Sequence, residues 1–388
     1  MKKEILSIFC FLLLISLIWS QPPPLLSKGM IQPYGVNIPS GQGFWVNVDA
    51  QQYPQLANLL KRAGVQWVRL GVRWDLLEPQ PGVWDEEFAA QFGALLAALR
   101  SKGIKVSLVL NKPPDWAGLP PRRGPWVRFV QEMVSRYNVE AWEILNEPSH
   151  WEEYTENKEA YVRLVKDAAA IIRNKDTQDL VVLGGLGPPP AKQTWRSEAI
   201  KYWLKYAGPS VDVLNVHKYG DDALVAEKIQ TFKQWAIEAG VGAKPIWLTE
   251  TNIKSPTEKC DRDDFECMNP PDGPKKLQSR YRMALDLEME KVFWWQFISS
   301  PWGPGLLIPP EGDVGYKPNG RMYSAYQSMV FNKVFCKEPR PQICTMECII
   351  NPPYICGSDG KSYCSTCQAC SNPKVEWYVI QDKPCEAE

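Results

Sequence analysis

Two apolar runs in this chain end on a carboxylate. Residues 141–148 read AWEILNEP and residues 246–252 read IWLTETN. Asn and Pro are ordinary punctuation where a strand gives way to a loop, so the first run alone reads equally well as a turn. Taken together, Glu147 and Glu250 form the kind of acid pair that glycoside hydrolysis needs: one carboxyl protonates the leaving oxygen while the other attacks the anomeric carbon or activates water. Their surroundings must differ, because the acid has to stay protonated near neutral pH and its partner ionised. Charge on one raises the pKa of the other, and Arg69 and Tyr219 are candidates to lower the second.

Such chemistry requires elements that bring distant residues together. From residue 31 to 332 the sequence alternates β-branched apolar runs with longer amphipathic stretches, the pattern of βα units around a parallel sheet. The runs are YGVNI (34), WVRLGV (67), KVSLVL (105), AWEILN (141), LVVLGG (180), VDVLNVH (211), PIWLTE (245) and KVFWWQF (291). Eight such runs close a barrel, so the expected fold class is α/β, a (β/α)8 TIM barrel over 31–332. An open doubly wound sheet would more often carry a Gly-rich phosphate loop after its first strand, and GVNIPSGQG lacks that fingerprint. In the barrel, chemistry sits where strands end and βα loops begin. The strand ends supply Asn37, Arg69, Arg73, Asn111, Asn146, Glu147, His217, Tyr219 and Glu250, with Trp294 and Trp295 on the eighth strand. Period-two alternation turns only one of these two tryptophans inward. Arg73 reads as a salt-bridged rim residue. Trp45, Trp116, Trp151, Tyr154 and Trp302 lie in loops where they could line a sugar-stacking groove or simply pack.

WEILNEP, IWLTETN, the HKY triplet at 217 and VRLGVRW together resemble clan A of the glycoside hydrolases, closest to families 5 and 39, and GLL at 305, KP at 317 and YSAYQSM extend the match. The resemblance implies a cellulase-like or xylosidase-like retaining enzyme with Glu147 as general acid/base and Glu250 as nucleophile. It implies that Asn146 binds the sugar 2-hydroxyl, that Tyr219 with His217 and Arg69 orients the nucleophile, and that Trp295 is the inward tryptophan. As the acid, Glu147 is expected to titrate high. Asn37 and Trp116 complete the expected substrate-binding set. No cofactor or metal is called for.

Composition limits the partners. Lysine plus arginine equals aspartate plus glutamate at 44 each, so no overall field attracts nucleic acid or anionic membrane. A neutral β-linked polysaccharide or oligosaccharide is the expected substrate. The start, MKKE followed by an apolar stretch, reads as a signal peptide over 1–20, then a proline-rich linker over 21–30. The chain is therefore expected to be secreted, without stable membrane insertion if cleaved; an uncleaved leader would make it a cell-surface protein.

Cys260 and Cys267 are expected to close a small disulfide loop after the seventh strand. A metal site there would lack a nearby His, and DRDD lacks the spacing of a calcium loop. Cysteine density rises sharply from Cys336, marking a small disulfide-rich domain over 336–388. Its CGSDGKSY segment, with Tyr363, resembles a Kazal-type domain. That resemblance implies Cys344 with Cys370, Cys348 with Cys367 and Cys356 with Cys385; Cys336 and Cys364 are extra to it, and whether they pair with each other is left open. It also implies a serine protease as one partner; a structural or interaction role is the other reading. Two rivals to a hydrolase stand beside it: a barrel that holds sugar without cleaving it, and a protease inhibitor with the barrel as carrier.

Overall fold

The computed structural model describes residues 33–38, 50–253, 264–299, 304–308, 317–331, 333–336, 339–344, 354–381 and 384–385. The expected leader and linker, Trp45, Cys260, Trp302 and Cys348 lie outside them.

The apolar runs form one parallel sheet: β1 (Tyr34–Ile38), β2 (Trp67–Gly71), β3 (Lys105–Leu110), β4 (Ala141–Ile144), β5 (Leu180–Leu183), β6 (Leu214–His217), β7 (Ile246–Thr251) and β8 (Lys291–Trp294). Their order is β5-β4-β3-β2-β1-β8-β7-β6. The two edges meet through isolated parallel bridges, Val182 with Val213 and Leu186 with Val216, so the sheet closes on itself. Strand β6 starts later than VDVLNVH suggests, because Asp212 turns its carboxylate to the Val181 N–H and to Arg173.

Around the strands run α1 (Tyr53–Ala63), α2 (Glu86–Ser101), α3 (Arg123–Arg136), α4 (Lys158–Lys175), α5 (Thr194–Tyr206), α6 (Asp222–Glu238), α7 (Gly273–Asp286) and α8 (Gly320–Phe331). Helix α1 shows why these segments are helices: Leu56, Leu59, Leu60 and Ala63 recur at helical spacing and are buried. It stops at Gly64, whose φ of 83° is left-handed and where a Cβ would lie 2.5 Å from the Phe331 ring. Asp85, Asn157 and Asp221 cap α2, α4 and α6 by accepting from N–H groups of their first turns.

Inside the barrel two layers differ in chemistry. At the N-terminal end, Trp67, Ala141, Val182, Val213, Trp247 and Phe293 form a separate apolar cluster, a floor. The Lys291 ammonium lies 4.9 and 5.1 Å from the Trp67 and Trp247 rings. Above it come Asn37, Arg69, Ser107, Glu143, Asn215 and Thr249, all buried and all polar.

The C-terminal segment builds its own small antiparallel sheet, in which Val334–Phe335, Trp377–Gln381, Tyr354–Gly357 and Ser362–Tyr363 lie in that spatial order. Among the described residues its buried apolar core is Ile355, Ala369 and Val375, so covalent links must supplement burial. The disulfides correct the expected pairing: Cys336 bonds Cys370, Cys344 bonds Cys367, and Cys356 bonds Cys385. Only the last is as expected. Cys364 is disulfide-bonded, but not to Cys336; Cys267 is bonded too. The reason is the short strand at Val334–Phe335, which pairs with Trp377 and Tyr378 and ties Cys336 into the sheet. Cys336 is thereby the first cysteine of the module rather than an extra one. Among the described residues no helix is long and apolar enough to cross a membrane.

Candidate active site

Arg69 organises the mouth of the barrel. From β2 its guanidinium binds Glu143 through two bonds of 2.7 Å, donates to Glu250 Oε1 at 2.5 Å, and reaches Asn37 Oδ1 at 3.0 Å and Asn146 Oδ1 at 2.6 Å. Burial alone would lower its pKa, but the charges and hydrogen bonds of Glu143 and Glu250 hold it above the ordinary arginine value. Two carboxylates around one buried cation leave the cluster one negative charge in excess.

Glu250, on β7, also accepts from Tyr219 at 2.5 Å. Burial, followed by the charges of Glu250 and Glu147, pushes the Tyr219 phenol well above its usual value, so it remains a donor. Both oxygens of Glu250 are thus held by groups that stabilise its anion.

Glu147 follows β4 in a left-handed conformation, φ 48°, and its neighbour Leu145 has φ 64°. Lys112 in the preceding βα loop has φ 56°. Backbone of this kind costs about 1–3 kcal/mol per residue and gathers at functional sites. All three residues line one cavity of about 640 Å³, together with Asn37, Arg69, Asn146, His150, Trp151, Tyr154, Glu250 and Trp295. That volume lies in the range of ligand pockets.

His217 stands between the two glutamates. Its Nδ1 is 3.0 Å from Glu147 Oε1 and 3.7 Å from Glu250 Oε2. Its Nε2 meets Thr249 Oγ1 at 2.8 Å, and Thr249 gives its hydroxyl proton to Asn215 Oδ1 at 2.7 Å. Nε2 therefore faces a hydroxyl and Nδ1 faces the Glu147 carboxylate, so the ring is held from both sides. Space for the imidazole comes from Gly185, where a Cβ would lie 2.1 Å from Nε2.

The expectation that Glu147 titrates high is reversed. Burial would raise it, but hydrogen bonds from His150 and His217, and the charge those rings can carry, hold it well below the usual carboxylate range. The available signal was His150, the first of the chain's two histidines, three residues after Glu147.

Of the other expected residues, Asn37 donates to Thr249 O at 2.8 Å and lies in the cavity wall. Trp295 faces the cavity, whereas Trp294 is buried behind it with its indole N–H on Pro304 O. Trp116 does not line the cavity: it packs edge-on against Trp74 at 5.8 Å and donates to Glu78 O, because a buried tryptophan shelf beneath its loop captures the ring. Arg73 is paired with Asp75. Two positioning residues went unread. Glu143 is fully buried beneath Arg69, and Arg280 of α7 is buried against Asp222, Gly220 O and Asn252 O, tying together the loops after β6 and β7. A charge on the inward face of an apolar strand was the available sign of Glu143.

Among the described residues, Glu147, His217 and Glu250 are the one grouping whose ligand-type atoms lie within 4.8 Å of one another. Arg69, Tyr219 and Thr249 already satisfy it, so the donor set reads as an acid–base cluster rather than a cation site.

A closed parallel barrel with two carboxylates converging at its C-terminal mouth is a barrel of the glycoside hydrolase kind. The sequence places it further: residues 30–273 match the cellulase family, glycosyl hydrolase family 5, and the chain belongs to that family. No curated protein sequence matches it. Solved structures sharing the fold include an exo-β-1,4-mannosidase from Opitutaceae bacterium strain TAV5, at 15% identity and TM-score 0.56, covering 77% of this chain and 60% of that one. The β-glycosidase BGL167 aligns at 14% and 0.60, covering 80% and 98%. A GH39 β-xylosidase from Caulobacter crescentus aligns at 20% and 0.53, covering 76% and 70%. The chain thus spans 60% of the mannosidase's length.

Proposed function

We propose that this protein is a secreted, retaining β-glycoside hydrolase acting on a neutral β-linked oligosaccharide or polysaccharide. The observation that carries the reading is the placement of one oxygen from each of Glu147 and Glu250 within 4.8 Å of the other. Retaining enzymes hold their carboxyl groups about 5–5.5 Å apart, inverting ones about 6.5–9.5 Å. Glu250, anchored by Arg69 and Tyr219, attacks the anomeric carbon while Glu147 delivers its proton to the departing oxygen. Glu147, now ionised, takes a proton from water, which attacks the same carbon and releases Glu250. Asn146 has its Oδ1 tied to Arg69, which leaves its amide nitrogen to donate to a sugar hydroxyl.

Screening polysaccharides and aryl β-glycosides identifies the substrate. Glu250→Gln then loses turnover by on the order of 10⁴-fold or more while still binding sugar. Unchanged processing by that variant would leave a non-hydrolytic sugar-binding barrel as the answer.

In the C-terminal module eight cysteines lie from Cys336 onward, and the six in the three described bridges pair among themselves first with fifth, second with fourth and third with sixth. This is the order a Kazal-type domain implies, with the count starting one cysteine earlier than the sequence suggested, and it supports a Kazal-like module over 336–388. Stapling of this kind suits an exported chain, consistent with the leader read from the sequence. Titrating the full chain against subtilisin-like and elastase-like proteases tests inhibition; no inhibition leaves a structural or interaction module.

A further inference from the structure

The chain contains two histidines, and both bond the same carboxylate. Glu147 gives Oε1 to His217 at 3.0 Å and Oε2 to His150 at 3.1 Å. The two rings are not equivalent. His217 has 2% of its side chain exposed and is fixed from behind by Thr249, whereas His150 has 43% exposed and lies in the cavity wall. His150 sits on the single turn Pro148–His150, reached directly from the left-handed Glu147, and its own N–H donates to Glu147 O at 2.9 Å. Oε1 faces the interior. Oε2 is therefore the oxygen that must meet a leaving-group oxygen, and His150 is bonded to it.

We propose that His150 is a positioning residue that holds Oε2 of Glu147 in the free enzyme and yields it to the leaving-group oxygen when substrate binds. This rests on the assignment of Glu147 as acid/base. It resolves a conflict in that assignment: a general acid has to hold a proton, yet hydrogen bonds from the two histidines favour the anion of Glu147. Removing the His150 hydrogen bond on substrate binding moves Glu147 towards the protonated form as the proton is needed. The remaining partner, His217, is fixed by Thr249 and stays.

Other ionisable groups face Glu147 from every side. Tyr219 and Arg196 of α5 feel its charge, Glu250 lies across His217, and Arg69 stands behind Glu250 and Asn146. Among the described residues, only His150 combines a direct hydrogen bond to Glu147 with an exposed ring.

The test compares two pH profiles of His150→Ala on a phenyl β-glycoside of the sugar the panel identifies, a leaving group poor enough to need the proton. The alkaline limb of kcat/KM reports Glu147 in the free enzyme, and that of kcat reports it in the complex. Loss of His150 raises the first by about one pH unit and leaves the second unmoved, since the ring has already withdrawn there. His150→Asn, which keeps a donor near the Nδ1 position, should shift the first limb less. A kcat/KM limb that does not move, or two limbs that move together, overturns the proposal. Glu147→Gln is run alongside on phenyl and dinitrophenyl glycosides. If it turns over the phenyl glycoside normally, the assignment of Glu147 fails; if it is inactive there but spared on the dinitrophenyl glycoside, a failure in the His150 profiles belongs to His150 alone.

Discussion

The floor and the mouth of the barrel are built on the same inward face of the same strands, two residues apart. Trp67 gives way to Arg69, Ala141 to Glu143, Val182 to Gly184, Val213 to Asn215, Trp247 to Thr249, and Phe293 to Trp295. These floor residues are as buried as Arg69, Glu143, Asn215 and Thr249 above them. What differs is how burial is made tolerable. The floor gains from removing apolar surface from water, while the mouth loses hydration of charges and depends on complete pairing to offset it. The floor should therefore carry stability and the mouth should carry chemistry, with Arg69 carrying both.

Arg69→Met is the most severe way to break that division. It strands the buried Glu143 carboxylate, so denaturant midpoints should show a loss of about 3–5 kcal/mol, with turnover abolished in whatever remains folded. Trp247→Ala should cost a similar or slightly smaller amount, about 3–4 kcal/mol, yet leave kcat per folded molecule at low temperature near that of the parent. A large fall in kcat there would erase the division. Gly185→Ala pushes a methyl group into His217; thermal unfolding should register about 1–3 kcal/mol, with the alkaline limb of the activity profile displaced as well. Trp116→Ala, beside the mouth but outside the cavity, is expected to cost about 1–2 kcal/mol of stability and to leave KM unchanged. A raised KM would put Trp116 back among the sugar contacts.

The strands were legible because β-branched runs recur with helices between them, and the residues at their ends followed from the barrel's polarity. Glu147, Glu250, Arg69, His217 and Tyr219 meet because of that rule. Glu143 sat in plain view within WEILNEP but was passed over, since a charge inside an apolar run has meaning only once its neighbour across the sheet, Arg69, is known. Gly185 was read as part of a strand end; that it makes room for a ring from β6 is a statement about three dimensions. The placement of Trp116 against Trp74 was not legible, because a loop tryptophan can turn to solvent or to a neighbouring ring and spacing does not distinguish the two. The first cysteine of the tail was miscounted because two residues of strand, Val334 and Phe335, decide which side of the boundary Cys336 belongs to.

The seam between β5 and β6 is held by backbone hydrogen bonds that include Leu183 N–H to Val213 O at 3.0 Å and Leu186 N–H to Asn215 O at 3.1 Å, and the His217 N–H donates across it to Leu186 O at 3.2 Å. The same residue thus fastens the ring with its backbone and serves Glu147 with its imidazole. A thermal fluctuation that parts this seam withdraws the histidine from the carboxylate while the helices outside are still intact. On slow heating, activity should accordingly fade at a lower temperature than the helical circular dichroism signal, and the gap between the two curves measures how loosely the last stave of the barrel is fitted.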